Sequence, residues 1–72
     1  MDQDDIKKAF GKRLKEIRTL KGISQEDLAF RSGLHRTYVS SVERGEPNIS
    51  LVNIKKISDA LGVSPHDLIP KE

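Results

Sequence analysis

The sequence predicts an all-α fold of five short helices, on three observations. Apolar residues recur three and four apart, Ser and Gly bracket the apolar runs, and no run alternates with period two. A first helix carries Ile6, Phe10, Leu14, Ile17 and Leu20 as an inward stripe and ends at Lys21, before Gly22. Ser24 then stands as an N-cap with Asp27 three residues on, so a second helix begins at Gln25 with Leu28 and Ala29 inward. Gly33 marks a tight turn. Beyond it, Leu34, Val39 and Val42 are the buried positions of a third helix, and Ser50 caps a fourth from Leu51 to Leu61, stopped by Gly62. Ser64 caps a last short helix, in which Pro65 takes the first helical position and Asp67 completes a capping-box-like pair before Pro70.

The predicted core is Phe10, Leu14, Ile17, Ile23, Leu28, Ala29, Leu34, Val39, Val42, Leu51, Ile54, Ile57, Ala60 and Leu61. Val63, Leu68 and Ile69 are left over; they could complete the monomer core, but the expected role is a two-fold interface. A chain of this length buries only about 60% of its unfolded surface, so a second copy covering more of it would help. One domain over 1–72 is expected, with its central motif at 24–45 and frayed ends at 1–4 and 70–72.

Composition narrows the functional classes. The chain has no cysteine, hence no disulfide and no thiolate metal site, which fits a reducing cytoplasm. His35 and His66 are far apart and lack paired ligands, so neither a metal nor another cofactor is expected. Ser24, Ser40 and Ser41 have no His and carboxylate in a recognisable arrangement, and there is no Gly-rich phosphate loop, which argues against an enzyme. The longest apolar stretch is far below the roughly 20 residues of a membrane span, and no signal peptide is recognised. The net charge of +2 hides an asymmetry. Asp2, Asp4 and Asp5 gather at the amino end, whereas Lys7, Lys8, Lys12, Arg13, Lys15, Arg18 and Lys21 follow against Glu16 alone, a stripe that favours a polyanion.

Residues 24–45 carry most of the functional signal. They read as two short helices joined by a turn and packed nearly at right angles, with the small Ala29 allowing the close crossing. That shape places the second helix in a DNA groove. With Leu34, Val39 and Val42 inward, Arg36, Thr37, Tyr38, Ser40, Ser41 and Arg44 point wholly or partly outward, a set with donors and no carboxylate. Arg36 can reach the two acceptors of a guanine edge, the Thr37 methyl can meet a thymine methyl, and Ser41 offers a hydroxyl of either polarity.

The pattern of Gln25, Leu28, Ala29, Gly33, Leu34, Val39, Val42, Glu43 and Gly45, with Arg18 before it and the Leu51 to Leu61 helix after it, resembles the phage repressor and Cro-like (XRE-type) helix-turn-helix family. The run HRTYVSSVERG followed by NISLVNI is similar to the small controller proteins of restriction-modification operons. The resemblance implies a compact lambda-repressor-like domain. It also implies that Gln25 bonds a phosphate and that Arg36, Thr37 and Ser41 face bases. Tyr38 and Ser40 suit either purpose, with Ser40 assigned to bases and Tyr38 and Arg44 to the backbone. A partly buried ion pair between Arg18 and Glu43 would hold the reading helix in place. The controller-like proteins commonly carry a basic residue after Gly45, whereas this chain has Glu46 and Pro47. Glu46 is therefore expected to turn outward or to meet a protein partner. Asn48 remains a candidate phosphate donor, and His35, in an unusual capping position, could touch phosphate when protonated.

The function expected on this basis is a cytoplasmic, sequence-specific regulator that binds double-stranded DNA as a homodimer and acts on a promoter including its own. Its reading helices would lie about 34 Å apart, so the target is an imperfect inverted repeat. Repression would follow from occlusion, and activation from a touch on RNA polymerase through Glu26. A phage or plasmid repressor, or an antitoxin's DNA-binding protein, stays open within the class. From another class, the fold could serve a protein-binding adaptor with Glu26, Asp27 and Glu46 as an acidic rim.

Overall fold

A computed structural model describes residues 2–70. Five helices follow one another, α1 (Gln3–Leu20), α2 (Gln25–Ser32), α3 (Arg36–Glu43), α4 (Leu51–Leu61) and α5 (Pro65–Leu68), with no strand among the described residues. The serines cap as expected. Ser24 Oγ accepts from the Asp27 amide at 3.0 Å and Ser50 Oγ from the Asn53 amide at 3.1 Å. Ser64 and Asp67 form a reciprocal capping box on α5, whose first residue is Pro65. Each such cap contributes about 1 kcal/mol. One further cap corrects the expected fraying over 1–4: the Asp2 carboxylate accepts from the Asp5 amide at 2.9 Å, and Gln3 and Asp4 are already helical. Met1, Lys71 and Glu72, to which fraying was also assigned, lie outside the described residues.

The core joins Phe10, Leu14 and Ile17 of α1 to Ile23, Leu28, Ala29, Val39, Val42, Ile54, Ile57, Leu61 and Leu68, with Leu34, Ile49, Ala60 and Val63 half-buried at its margin. Three expected core positions fall outside it. Leu20 is 85% exposed because it sits roughly 90° around the axis from the stripe of Phe10, Leu14 and Ile17 at 3.6 residues per turn. Leu51, 84% exposed, is the first residue of α4 and is similarly rotated from Ile54, Ile57 and Leu61. Ile6 lies in line with the stripe but one turn beyond the core, at 45% exposure. In the opposite direction, Leu68 is fully buried inside the monomer and is therefore corrected from interface to core. Buried Ser32 and Ser58 donate their hydroxyls to the carbonyls of Ala29 and Lys55 in the preceding turn, which satisfies them within their own helices.

The tightest packing joins α1 to the end of α3. Gly11 is buried, and a Cβ placed on it would lie 2.6 Å from the Glu43 carbonyl oxygen and closer still to that of Val42. Just beyond, Gly45 has φ +76°, and a Cβ there would lie 2.7 Å from the Lys8 Cα. The backbone of α1 thus rests directly on the last turn of α3. In an open helix Gly→Ala stabilises by up to about 1 kcal/mol. Here Gly11→Ala must push two backbones apart, so we expect a net loss of about 1 to 3 kcal/mol. A lowered urea midpoint at unchanged m value would register it, whereas a rise in stability would refute the close approach.

Candidate nucleic-acid interface

The candidate surface is the outer face of α3, and its orientation is set by side chains from two other helices. Arg18 of α1 donates to both carboxylate oxygens of Glu43, from Nε at 2.6 Å and from Nη2 at 3.1 Å. Its Nη1 donates to the Ile23 carbonyl at 2.8 Å, and Gln25 Nε2 of α2 donates to Glu43 Oε1 at 3.0 Å. The Arg18 and Glu43 side chains keep only 12% and 4% of their surface in contact with solvent. One carboxylate at the end of α3 is therefore held by α1 and α2 together. The sequence places Gln25 on a phosphate, while the structure engages one edge of its amide nitrogen inside the protein.

On the outer face, His35, Arg36, Thr37 and Arg44 are exposed and Tyr38, Ser40 and Ser41 are half-buried. His35 has extended backbone at the head of α3 and makes no side-chain cap, and no acidic residue occupies the first turn. The first turn of α3 thus places no carboxylate or side-chain cap on the positive end of the helix dipole. Ser41 Oγ donates to the Tyr38 carbonyl at 2.7 Å, which leaves its lone pairs to accept while that bond is kept. The Tyr38 hydroxyl accepts from Asn53 Nδ2 of α4 at 3.1 Å, which leaves its own proton available to donate. Asn53 escaped the sequence reading because a contact 15 residues away across a turn leaves no local signal.

Arg44 and Glu46 give the clearest departure from expectation. Glu46 turns outward as expected, but it is held within the protein: it accepts from Arg44 Nε at 2.8 Å and Nη2 at 3.3 Å, while Arg44 Nη1 donates to Ser40 Oγ. This hydrogen bonding holds the Glu46 carboxyl below the usual carboxylate range and the Arg44 guanidinium above its ordinary value. Asn48 is exposed just beyond. The basic stripe on α1 is thinner than its composition suggests. Arg18 is buried against Glu43, Arg13 donates to the Asp67 carbonyl at 3.0 Å, and Lys7 lies 3.4 Å from Asp4. Among the described residues, Lys8, Lys12, Lys15 and Lys21 keep no carboxylate within salt-bridge distance, and all four are exposed.

Glu43→Ala would leave the Arg18 charge uncompensated in the interior and should cost about 3 to 5 kcal/mol. Arg18→Met combined with Glu43→Leu removes both charges and should recover most of that loss in chemical denaturation. A double variant as unstable as the single one would show that packing, and not the stranded charge, sets the cost.

Residues 14–68 match the model of the Helix-turn-helix family. The control protein C.BamHI of Bacillus amyloliquefaciens is 54% identical over 67 residues, which span 92% of this chain and 83% of that protein. Among solved structures, the restriction-modification controller protein C.AhdI from Aeromonas hydrophila aligns with a TM-score of 0.85 at 58% identity, over 90% of this chain and 97% of that one. The controller protein C.Esp1396I, solved as a tetramer in complex with its natural 35 base-pair operator, aligns with a TM-score of 0.78 at 39% identity, over 82% of this chain and 78% of that one. A family match over most of the chain, on a geometry that holds one polar helix at the surface of a buried scaffold, shows that this protein belongs to the Helix-turn-helix family.

Proposed function

We propose that this protein is a sequence-specific DNA-binding transcription regulator of the restriction-modification controller type, with no catalytic activity of its own. It acts in the cytoplasm as a homodimer on an imperfect inverted repeat at a promoter that includes its own. The observation that carries the reading is the exposed start of α3: Arg36 and Thr37 project from an uncapped helix end free of acidic residues. An N-terminal helix end with outward donors is suited to a major groove, where a bidentate arginine reads guanine and a threonine methyl meets thymine. Ser40 and Ser41 sit further along the same face, while Gln25, His35, Tyr38 and Asn48 flank it as backbone contacts. The likeness to C.BamHI and C.AhdI supports the controller subgroup. The acidic rim needed for an adaptor is largely neutralised, Asp27 by Arg31 at 3.5 Å and Glu46 by Arg44. Exposed Glu26 remains as the residue through which polymerase would be touched.

For self-association the monomer offers Ile69 at 47% exposure and half-buried Val63, together with Leu51 and the 63% exposed Val52 on α4. Leu68 does not belong to that surface. The two neighbours therefore separate experimentally. Leu68→Ala should cost about 2 to 5 kcal/mol of folding stability, whereas Ile69→Lys should leave the monomer folded and shift sedimentation toward it. An Ile69→Lys protein that stays dimeric would exclude this face. On DNA, Arg36→Ala should cost about 1 to 3 kcal/mol and relax preference at one base pair per half-site in selection from random duplexes. An unchanged selected site would overturn the assignment of Arg36 to a base.

A further inference from the structure

The turn after α3 carries a carboxylate where a DNA-binding surface gains nothing from one. It is firmly built. The Glu46 amide donates to the Ser41 carbonyl at 3.1 Å, its carbonyl accepts from Lys7 Nζ at 3.4 Å, and Gly45 beside it lies against the backbone of Lys8. From this anchored stem the carboxylate grips Arg44 on the Nε and Nη2 side, and Ser40 accepts from Nη1. Of the five N–H groups of the guanidinium, three are engaged. One on each terminal nitrogen is left among the described residues, on a side chain whose charge is already matched.

We infer that Glu46 is a specificity-determining residue that acts through Arg44, withholding its positive charge from DNA phosphate so that binding rests on the base-reading side chains of α3. The inference builds on the regulator reading above. An arginine that neutralises a phosphate releases a counterion and adds about 0.9 to the slope of log affinity against log salt on any duplex, whatever its sequence. Such contacts raise affinity for specific and non-specific DNA alike and carry no sequence information of their own. A guanidinium paired internally with a carboxylate brings no net charge to the phosphate, so it contributes little to that common term. Both side chains are over half exposed, so their pairing adds little to folding stability. Its effect is on where the charge of Arg44 can go. The hydrogen bonds from Arg44 lower the Glu46 carboxyl from the usual carboxylate range, so the pair stays charged at neutral pH and into more acidic conditions than a free glutamate would.

The test is Glu46→Gln in the full chain, titrated by fluorescence anisotropy against its selected duplex and a scrambled duplex over a range of salt. We expect unchanged thermal stability, tighter binding to both duplexes, a salt slope steeper by about one unit and a smaller ratio of specific to non-specific affinity. Arg44→Gln should alter the slope by well under one unit in the natural protein and by about one unit in the Glu46→Gln background. Weaker binding by Glu46→Gln, or an unchanged slope with sequence-specific binding intact, would overturn this inference alone. So would a full unit lost on Arg44→Gln in the natural protein. A natural protein that binds no duplex at any salt would bring down the regulator reading and this inference with it.

Discussion

The orientation of α3 depends on one carboxylate. An eight-residue helix is well below the roughly 12 to 15 residues at which isolated helices become even marginally stable in water. Everything that α3 presents outward is therefore supplied by what grips it from behind. Glu43 receives Arg18 from α1 and Gln25 from α2, and the Arg18 guanidinium also ties the loop at Ile23. The desolvation of two charges offsets most of their attraction, so such a pair adds little net stability. What it adds is geometry. The planar fork of arginine meets a carboxylate in one orientation, and a second acceptor at right distance fixes the plane further. Gly11 completes the constraint by letting α1 touch the last turn of α3 with no side chain between them.

The elements of this fold were legible in the sequence because their signals are local. Ser24, Ser50 and Ser64 bond amides two or three residues away, and Gly33 and Gly62 end their helices in left-handed backbone. The core was legible wherever helical spacing coincided with a neighbour to pack against. It misled at Ile6, since periodicity reports the side of a helix and not whether another element reaches that far along it, and at Leu20 and Leu51, where three-residue spacing drifts about 90° from the buried stripe. It misled at Leu68 for the converse reason: in a four-residue helix no periodicity exists, and only the arrival of α5 against α4 and α1 buries that side chain. Gly11 was passed over because its requirement comes from carbonyls more than 30 positions on. In the candidate site, residue types indicated the face but not its wiring. That Ser41 donates inward, that Asn53 holds Tyr38 and that Glu46 holds Arg44 follow from angles between elements, which no spacing encodes.

This wiring changes what the polar face can read. A hydroxyl or guanidinium free in solution offers several hydrogen-bonding options, and binding must select one at an entropic cost. Ser41 and Tyr38 have their roles divided beforehand, one left to accept and the other left to donate. Arg36 and Thr37, by contrast, make no side-chain hydrogen bond among the described residues and keep their rotamers. The face therefore combines a fixed part near the centre of α3 with an adaptable part at its start. Such a division suits a surface that must first align on a backbone and then test base edges.

The same smallness that leaves α3 in need of support leaves apolar surface outside the core. Leu51 and Val52 on α4 and Ile69 just after α5 remain exposed, because no other element among the described residues packs over them. In the proposed dimer a second copy would cover what the monomer cannot, and by symmetry would set the spacing of two reading helices at the same time. Folding stability, self-association and operator geometry would then be linked through one surface. Because a contact made only by the folded dimer stabilises it by mass action, occupancy of an inverted repeat would rise more steeply than in proportion to protein concentration. A weak non-specific term favours that steepness. The less each protomer binds DNA on charge alone, the more completely site occupancy depends on two protomers arriving in register.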